Sequence, residues 1–245
     1  MTAHGFESLG ETLKRLGISL PTGGSVAVED EPVGCSRCRD AGWLSRNGTP
    51  VECPCGLVAQ RRLDIVWARS QVPLMMREWT LASYVERSGR AELVAEIRRG
   101  WDETDRWLLL TGPVGVGKSG IAASLLNEHL AAGQGGMYVV APTLLERIRS
   151  TYDAEEKVSE ATVMSGLVQT PLLVLDDLGK VKLTEWGQEK LYTLISERYH
   201  ARRRTIVTSN YGLSDGALEA HLWEATFDRL RGASESFEID GESLR

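Results

Sequence analysis

The sequence has little of what a membrane protein or a secreted protein needs. Its apolar runs, such as WLLL and LLVL, are far shorter than the roughly 18 residues of a membrane-spanning helix. The first residues also lack the charged start and the apolar stretch of a signal peptide. We therefore expect a soluble, cytoplasmic protein that does not bind a membrane.

An excess of positive charge is missing as well. The 245 residues include 28 lysines and arginines against 34 acidic residues, which gives a formal charge of −6. Gripping duplex DNA with a whole surface requires many cationic side chains that neutralise phosphates, so this composition argues against such binding. A local basic groove is compatible with it. The 42% apolar content is normal for a globular protein with a buried core.

Cysteine is absent except between residues 35 and 55. Two residues separate Cys35 from Cys38, fourteen separate Cys38 from Cys53, and one separates Cys53 from Cys55. Two close pairs of thiols joined by a loop suit a tetrahedral Zn²⁺ ion in a ribbon or knuckle. Four protein ligands leave no open coordination position, so we expect a structural zinc site. Free or redox-active cysteines are the alternative.

The pattern along the chain predicts three parts. Residues 1–60 contain the cysteines and one amphipathic segment, FESLGETLKRLGISL, and are too few to build a sufficient core without a metal. We expect residues 61–80 to be a linker and residues 81–245 to form an α/β domain. In that domain, five apolar runs alternate with amphipathic helices: WLLLTG, GMYVVA, PLLVLDDL, TIVTSN and SFEID. They predict a parallel five-stranded sheet covered by helices.

A phosphate-binding loop follows the first of these runs. In GPVGVGKS, four residues separate Gly112 from Gly117, and Lys118 and Ser119 follow, which is the complete P-loop pattern. Lys118 would reach the β- and γ-phosphates, and Ser119 would hold Mg²⁺. The expected nucleotide contacts are Gly112, Pro113, Val114, Gly115, Val116, Gly117, Lys118, Ser119 and Gly120. The alternative is a glycine-rich turn that only connects a strand to a helix.

Polar residues end two later strands. Asp176 and Asp177 close the run LLVLDD, and Asn210 closes TIVTSN. Ligands bind at the carboxyl ends of strands in such sheets, so we expect Asp176 to bind Mg²⁺ directly or through water. Asp177 suits the orientation of the attacking water, and Asn210 would lie near the γ-phosphate. The alternative is that the two aspartates only cap a helix or form a turn.

These motifs and their spacing resemble an AAA+ ATPase over roughly residues 75–245. The segments LTEWGQEKLYTLISERYHARRRTIVTSN and ATFDRLRG are similar to replicative helicase loaders of the DnaC type and to their transposition relatives of the IstB type. In addition, CSRCRDAGW and CPCG resemble the N-terminal zinc module of some DnaC-like loaders. The resemblance implies a P-loop AAA+ fold with ATP and Mg²⁺ as ligands, preceded by a small zinc-binding module.

The same resemblance implies that Arg229 is an arginine finger that reaches the ATP of a neighbouring subunit. Such a guanidinium stabilises charge on the transferring phosphoryl group and makes turnover depend on assembly. Arg231 is the competing candidate, and an arginine on an exposed helix is the plain alternative. Asp177 departs from the glutamate common in AAA+ proteins and is one methylene shorter. We therefore expect slow hydrolysis that acts as a timer.

A basic segment between the second and third strands is a candidate DNA contact. The stretch TLLERIRSTYDAEEKVSEATVMSGL is long enough for two helices, and helicase loaders line a single-strand path with an extra helix here. Arg147, Arg149 and Lys157 lie off the apolar face of this segment, and the two arginines with Tyr152 could contribute to a basic groove with a stacking aromatic ring. An ordinary amphipathic helix would look the same. The run Arg202–Arg204 is a weaker candidate, since a solvated turn explains it too.

The resemblance thus implies a function in DNA replication. The first hypothesis is an ATP-dependent loader that assembles as a homo-oligomeric spiral and places a hexameric replicative helicase on single-stranded DNA, with the N-terminal module gripping the helicase. A second hypothesis gives the same ATPase a transposase partner and duplex DNA. A third is a nucleotide-gated adaptor for a partner other than DNA.

Overall fold

The structure is a computed structural model that describes residues 34–153, 158–180, 182–213 and 217–244. The predicted amphipathic segment at residues 6–20 and Lys157 lie outside these ranges. Contacts divide the chain into two compact units, one ending at Leu57 and the other beginning at Val58. Among the described helices, none combines the length and the apolar character that crossing a bilayer demands.

The first unit contains an antiparallel hairpin between its cysteine pairs. Strand β1 (Trp43–Arg46) pairs with β2 (Thr49–Glu52), and Arg46 lies opposite Thr49. The two-residue turn between them is Asn47 and Gly48, with φ angles of 53° and 79°. Positive φ at both positions is the geometry of the tight hairpin turns that Asn-Gly favours. The hairpin thus closes the loop that separates the two thiol pairs.

The second unit begins with three helices and then builds a parallel sheet. The early helices are α1 (Leu57–Arg69), α2 (Leu81–Ser88) and α3 (Ala91–Glu103), with a 3-10 turn at Leu74–Met76. The strands are β3 (Trp107–Thr111), β4 (Gly136–Val140), β5 (Leu172–Leu178), β6 (Arg204–Ser209) and β7 (Ser234–Glu238). The remaining helices are α4 (Lys118–Ala131), α5 (Ala141–Ser150), α6 (Glu160–Gln169), α7 (Glu185–His200) and α8 (Glu224–Ala233), with a 3-10 turn at Glu219–His221.

The five strands form one sheet in the order β4-β5-β6-β3-β7, and every neighbouring pair is parallel. This confirms the predicted α/β fold, and each predicted apolar run supplies one strand. The order places β3, β5 and β6 at the centre, so their carboxyl ends meet at one edge of the sheet. Chain segments that follow these strands therefore come together there.

Both faces of the sheet are covered. Leu108 and Leu110 of β3 point to a core formed with α2, α3 and α4, whereas Leu109 points to a core formed with α5, α6, α7 and α8. This alternation is what strands buried on both faces require. On α7, Leu191, Leu194 and Ile195 are buried, whereas Tyr199 in the last turn is 47% exposed.

The predicted linker at residues 61–80 differs from the structure. Helix α1 occupies much of it, and Val72 is buried in the core of the second unit. The backbone N–H of Tyr138 donates a 2.7 Å hydrogen bond to the carbonyl of Ser70. Because β4 is an edge strand, its unpaired backbone groups need such a cover. These residues therefore belong to the second unit.

Candidate functional site

The loop after β3 turns tightly because three of its glycines have positive φ. Gly112, Gly115 and Gly117 have φ angles of 134°, 91° and 99°. A side-chain carbon on Gly112 would overlap the backbone oxygen of Ile239, and one on Gly117 would overlap the ring of Tyr84. Only glycine satisfies both the dihedral angles and these close approaches.

Lys118 is the first residue of α4 and lies inside the loop. It is 5% exposed, and its ammonium group donates to the carbonyl oxygens of Gly112 at 2.8 Å and Pro113 at 2.7 Å. The N-terminus of α4 faces the same loop, with Gly117 as its cap. Free backbone N–H groups at a helix start, together with a lysine, favour an anion such as phosphate.

Residues far apart in sequence brace the loop from two sides. On one side, Tyr84 and Arg90 both donate to the carbonyl oxygen of Val116, at 3.0 and 3.1 Å. On the other side, the backbone N–H of Leu244 donates to the carbonyl oxygen of Gly115 at 2.9 Å. The loop conformation is therefore fixed by tertiary contacts as well as by its own glycines, which is the preorganisation that a phosphate site needs.

The acidic strand meets the loop at Ser119. The Ser119 hydroxyl donates to Oδ1 of Asp176 at 2.8 Å, and the Thr208 hydroxyl donates to the same oxygen at 2.6 Å. Asp176 is only 5% exposed. A serine hydroxyl beside a carboxylate is the oxygen donor set that Mg²⁺ accepts together with phosphate oxygens. The residues present therefore fit a magnesium ion held by Ser119 and Asp176.

Asp177 departs from regular strand geometry. Its φ angle is 59°, and the pairing of β5 with β6 shifts register between Leu175 and Leu178. The Asp177 N–H donates to the Thr208 hydroxyl at 3.0 Å, and the carboxylate forms a 2.6 Å ion pair with Lys180. Strand irregularities of this kind re-aim side chains next to active sites. Here the irregularity lets both aspartates face one pocket.

That pocket has a volume of about 500 Å³. The predicted residues that line it are Val114, Gly115, Gly117, Lys118, Ser119, Gly120, Asp176, Asp177 and Asn210. Gly112, Pro113 and Val116 shape the loop from behind, because the first two hold Lys118 through their carbonyls and Val116 is fully buried. The structure thus brings the P-loop, both aspartates and Asn210 together.

Several pocket residues were not predicted from the sequence. They are Met76, Trp79, Arg87, Lys180 and Leu244. The Arg87 guanidinium lies over the Trp79 ring at 5.2 Å from its centroid. Lys180 lies two residues after the end of the acidic strand, so the motif could have predicted its position. The others come from distant segments and carry no local signal.

Tyr138 lies on the same side of the sheet as Asp176 and was not predicted either. Burial, followed by the charge of Asp176, raises the pKa of the Tyr138 phenol far above its usual range. The Asp176 carboxylate and the Ser119 hydroxyl both lie close enough to influence it. The phenol is therefore protonated and can act as a hydrogen-bond donor.

The predicted finger arginine does not line this pocket. Arg229, on α8, donates to the Ser196 hydroxyl of α7, and its guanidinium lies 5.2 Å from the centroid of the Tyr192 ring. This hydrogen-bonded cation lowers the pKa of Tyr192. Arg231 instead forms an exposed ion pair with Asp228 at 2.9 Å. Arg229 is thus held in a defined orientation outside the nucleotide pocket of its own chain.

The four cysteines converge in the first unit. The Sγ atoms of Cys35 and Cys53 are 3.8 Å apart, as are those of Cys38 and Cys55, and all four lie within 4.8 Å of one another. A tetrahedral ion with Zn–S bonds of about 2.3 Å separates its sulfurs by about 3.8 Å. The donor set and its spacing therefore fit Zn²⁺.

The four thiols and the neighbouring backbone shift the pKa values of two of the cysteines. Backbone N–H groups of Cys38 and Arg37 lower the pKa of Cys35 to about 7. For Cys53, the N–H of Cys55 lowers the pKa, but burial and the other thiols outweigh it and raise the value to about 12. Four adjacent sulfurs cannot all carry a negative charge unless a positive ion compensates them.

The basic segment contains the two helices that its length allowed, α5 and α6. Two of its residues contact Trp186 of α7: Arg149 lies 5.1 Å from the centroid of the Trp186 ring, and the Trp186 indole N–H donates to the Tyr152 hydroxyl at 3.2 Å. Tyr152 is 58% exposed. In the Arg202–Arg204 run, the Arg204 guanidinium stacks on Trp101 at 3.3 Å. That arginine is thus used within the fold.

Comparison with known proteins identifies relatives of this architecture. The model of the family described as IstB-like ATP binding protein matches residues 58–245. An ATP-binding protein of insertion sequence IS1162 from Pseudomonas fluorescens is 33% identical over 152 residues, which cover 60% of this chain and 64% of that protein. The replicative helicase loader DnaC of Buchnera aphidicola is 23% identical over 174 residues, covering 69% and 70%.

Solved structures of similar fold include a helicase loader. A crystal structure of the DnaC helicase loader superposes with a TM-score of 0.53 at 26% identity, covering 63% of this chain and 90% of that one. The matches confirm the predicted resemblance and the AAA+ fold. The chain spans only 64% of the IS1162 protein and 55% of an IS5376 relative from Geobacillus stearothermophilus.

Proposed function

Because the chain belongs to the family of IstB-like ATP binding proteins, we propose that it is an oligomeric ATPase that loads a replicative hexameric helicase onto single-stranded DNA. The observation that best supports ATP turnover is the hydrogen bond between Ser119 and Asp176 at the mouth of the P-loop. It joins the two motifs that hold the metal and the triphosphate in P-loop ATPases.

Each pocket residue has a proposed role in the reaction. Lys118 leaves the loop carbonyls to bind the β- and γ-phosphates, and Ser119 and Asp176 hold Mg²⁺, which screens the phosphate charge when bound. Asp177 orients the attacking water, and Asn210 contacts the γ-phosphate. Because Asp177 also pairs with Lys180 and is one methylene shorter than glutamate, we expect turnover below that of ATP-driven motors.

Arg229 is proposed to complete the site of a neighbouring subunit. Its position outside its own pocket, and its fixed orientation against Ser196 and Tyr192, support supply from another chain. A guanidinium delivered across an interface stabilises charge in the transition state only when subunits assemble. ATP hydrolysis would then occur only where subunits have assembled.

Mixing two inactive variants tests this arrangement. Lys118→Ala should lose ATP affinity, whereas Arg229→Ala should bind ATP and fail to hydrolyse it. A mixture should regain activity, because an Arg229→Ala subunit keeps an intact P-loop that a Lys118→Ala neighbour can complete. Arg231→Ala is the matched control and should stay active. A mixture as inactive as its components would argue against a shared site, and wild-type turnover by both single variants would refute these assignments.

The first unit, called the thiol unit from here on because it contains the four cysteines, supports a helicase as the partner protein. We propose that zinc, held by Cys35, Cys38, Cys53 and Cys55, shapes a module that grips the helicase. For the DNA strand, the exposed Tyr152 ring and the Arg149 guanidinium beside Trp186 offer one stacking surface and positive charge. These residues lie together although α5 and α7 are separate in sequence.

A transposase is the second candidate client, and the 33% identity to the IS1162 protein favours it. A pull-down with ATP from the host extract, read by mass spectrometry, separates the two. Recovery of the hexameric helicase by the wild-type chain, but not by Cys35→Ser/Cys38→Ser, supports the loader. A Ser36→Ala variant controls for substitution in the same turn. Recovery of a transposase would overturn the loader proposal, and recovery of neither, with ATP still bound, would favour an adaptor.

A further inference from the structure

Tyr138, in the middle of the edge strand β4, has its hydroxyl buried beside the nucleotide pocket. Only 3% of the residue is exposed, and within the described ranges its hydroxyl oxygen makes no hydrogen bond of regular geometry, although Asp176 and Ser119 are near enough to shift its pKa. Buried polar atoms without a partner are rare because they cost stability, and a ligand or a catalytic task commonly accounts for them. A partner that comes into place with the nucleotide would explain this residue.

Strand register sets the direction of the side chain. Tyr138 pairs with Val174, and Val140 pairs with Asp176, so Tyr138 and Asp176 lie on the same face of the sheet. They are one two-residue step apart along the strands, about 6.6 Å, and one strand spacing of about 4.8 Å apart across them, so the tyrosine side chain must lean along the strand to approach the carboxylate. The phenol oxygen therefore comes next to the carboxylate and to Ser119.

Asp176 already accepts two hydroxyl donors on one oxygen. Ser119 and Thr208 both donate to Oδ1. A magnesium ion would use lone pairs of the Ser119 oxygen and of the carboxylate, while the Ser119 hydroxyl would keep its proton for Asp176. A protonated phenol at this position can donate to the carboxylate and keep its orientation.

We propose that Tyr138 is a positioning residue for the metal, and that its hydroxyl donates to Asp176 when Mg²⁺ and ATP are bound. This inference rests on the proposed magnesium site of Ser119 and Asp176. It assigns the tyrosine a role in metal affinity, with no contact to the phosphates and no part in proton transfer. Packing alone would need the ring but not the hydroxyl.

Tyr138→Phe in the full chain tests this, because it removes the hydroxyl and keeps the ring. With Mn²⁺ as the probe and ATP held constant, electron paramagnetic resonance of free Mn²⁺ should show about tenfold weaker metal binding, the loss of one hydrogen bond to a charged group. ATP affinity in EDTA should be unchanged. The thermal midpoint of the ligand-free protein should be equal or higher, since a buried hydroxyl without a regular hydrogen bond is gone.

Two further variants keep the outcomes distinct. Tyr199→Phe, at an exposed tyrosine of α7, should leave Mn²⁺ affinity unchanged. Asp176→Asn should weaken it at least as much as Tyr138→Phe. If Asp176→Asn weakens binding and Tyr138→Phe does not, the tyrosine inference is overturned while the metal site stands. If neither matters, the proposed magnesium site fails as well.

Discussion

The thiol unit and the second unit, called the sheet unit because it contains the five-stranded sheet, are stabilised in different ways. In the described part of the first unit, the buried apolar residues are Cys38 and Cys53, both of them proposed metal ligands. The second unit buries two apolar layers, one on each face of a five-stranded sheet. A segment with so little apolar burial needs a ligand to fold, whereas the sheet has a core of its own. The comparison predicts different responses to metal removal and to core mutation.

The largest expected effect is the loss of zinc from the first unit. Structural zinc contributes about 10–16 kcal/mol in small metal-dependent folds at neutral pH. Cys38→Ser should therefore reduce bound zinc from one ion per chain towards none and remove hydrogen-exchange protection from the hairpin at residues 43–52. The unfolding transition of the sheet unit should not change. Metal analysis and hydrogen-exchange mass spectrometry measure the two effects.

A matched change checks that the thiol itself matters. Ser36→Ala lies between the first two cysteines and should keep both zinc and protection. If the hairpin in a zinc-free wild-type chain were as protected as in the zinc-bound one, the proposed dependence on metal would be wrong.

A smaller effect is expected from the core of the sheet. Leu109 is fully buried between β3 and the helices on one face. Leu109→Ala should lower the free energy of unfolding by about 2–5 kcal/mol, because it removes apolar contacts and leaves a cavity. Zinc content should stay at the wild-type value. Denaturant unfolding followed by tryptophan fluorescence measures the first, and metal analysis the second.

The control for this change is Leu74→Ala. Leu74 is 79% exposed, so its truncation should alter stability by less than about 0.5 kcal/mol. A loss of zinc in Leu109→Ala would mean that the two units depend on each other, contrary to the comparison.

The sequence was most informative where a property depends on neighbouring residues. The apolar runs predicted all five strands, and the glycines with Lys118 and Ser119 predicted the loop, because period and motif are local. The structure added what depends on strand order. Thr208 shares Asp176 with Ser119 only because β6 lies between β5 and β3. The spacing of residues along the chain does not reveal the order of the strands in the sheet.

Arg198, which lies away from the pocket, is a second residue whose environment could not be predicted from the sequence. In the sequence it is an ordinary arginine in the last turn of a helix, where solvent exposure is the usual expectation. In the structure it is 1% exposed and donates to the carbonyls of Leu167, Thr170 and Arg204 and to the Thr205 hydroxyl. Burial lowers the pKa of Arg198 to about 9. These acceptors come from several elements that only the fold brings together.

The smallest expected effects come from a pair of glycines, one in each unit. Gly48 has a φ of 79° in the hairpin turn, whereas Gly166 is exposed on α6, has no positive φ, and has open space where the Cβ of an alanine would lie. Gly48→Ala should weaken zinc affinity by about 5- to 30-fold, since a left-handed alanine costs about 1–2 kcal/mol. Gly166→Ala should instead stabilise the sheet unit by about 0.5–1 kcal/mol, because alanine favours a helix. Competition with a zinc chelator measures the zinc affinity, and denaturant unfolding measures the stability of the sheet unit. The two units are independent if Gly48→Ala lowers only the zinc affinity and Gly166→Ala raises only the free energy of unfolding of the sheet unit. A variant that changes both quantities would contradict that independence.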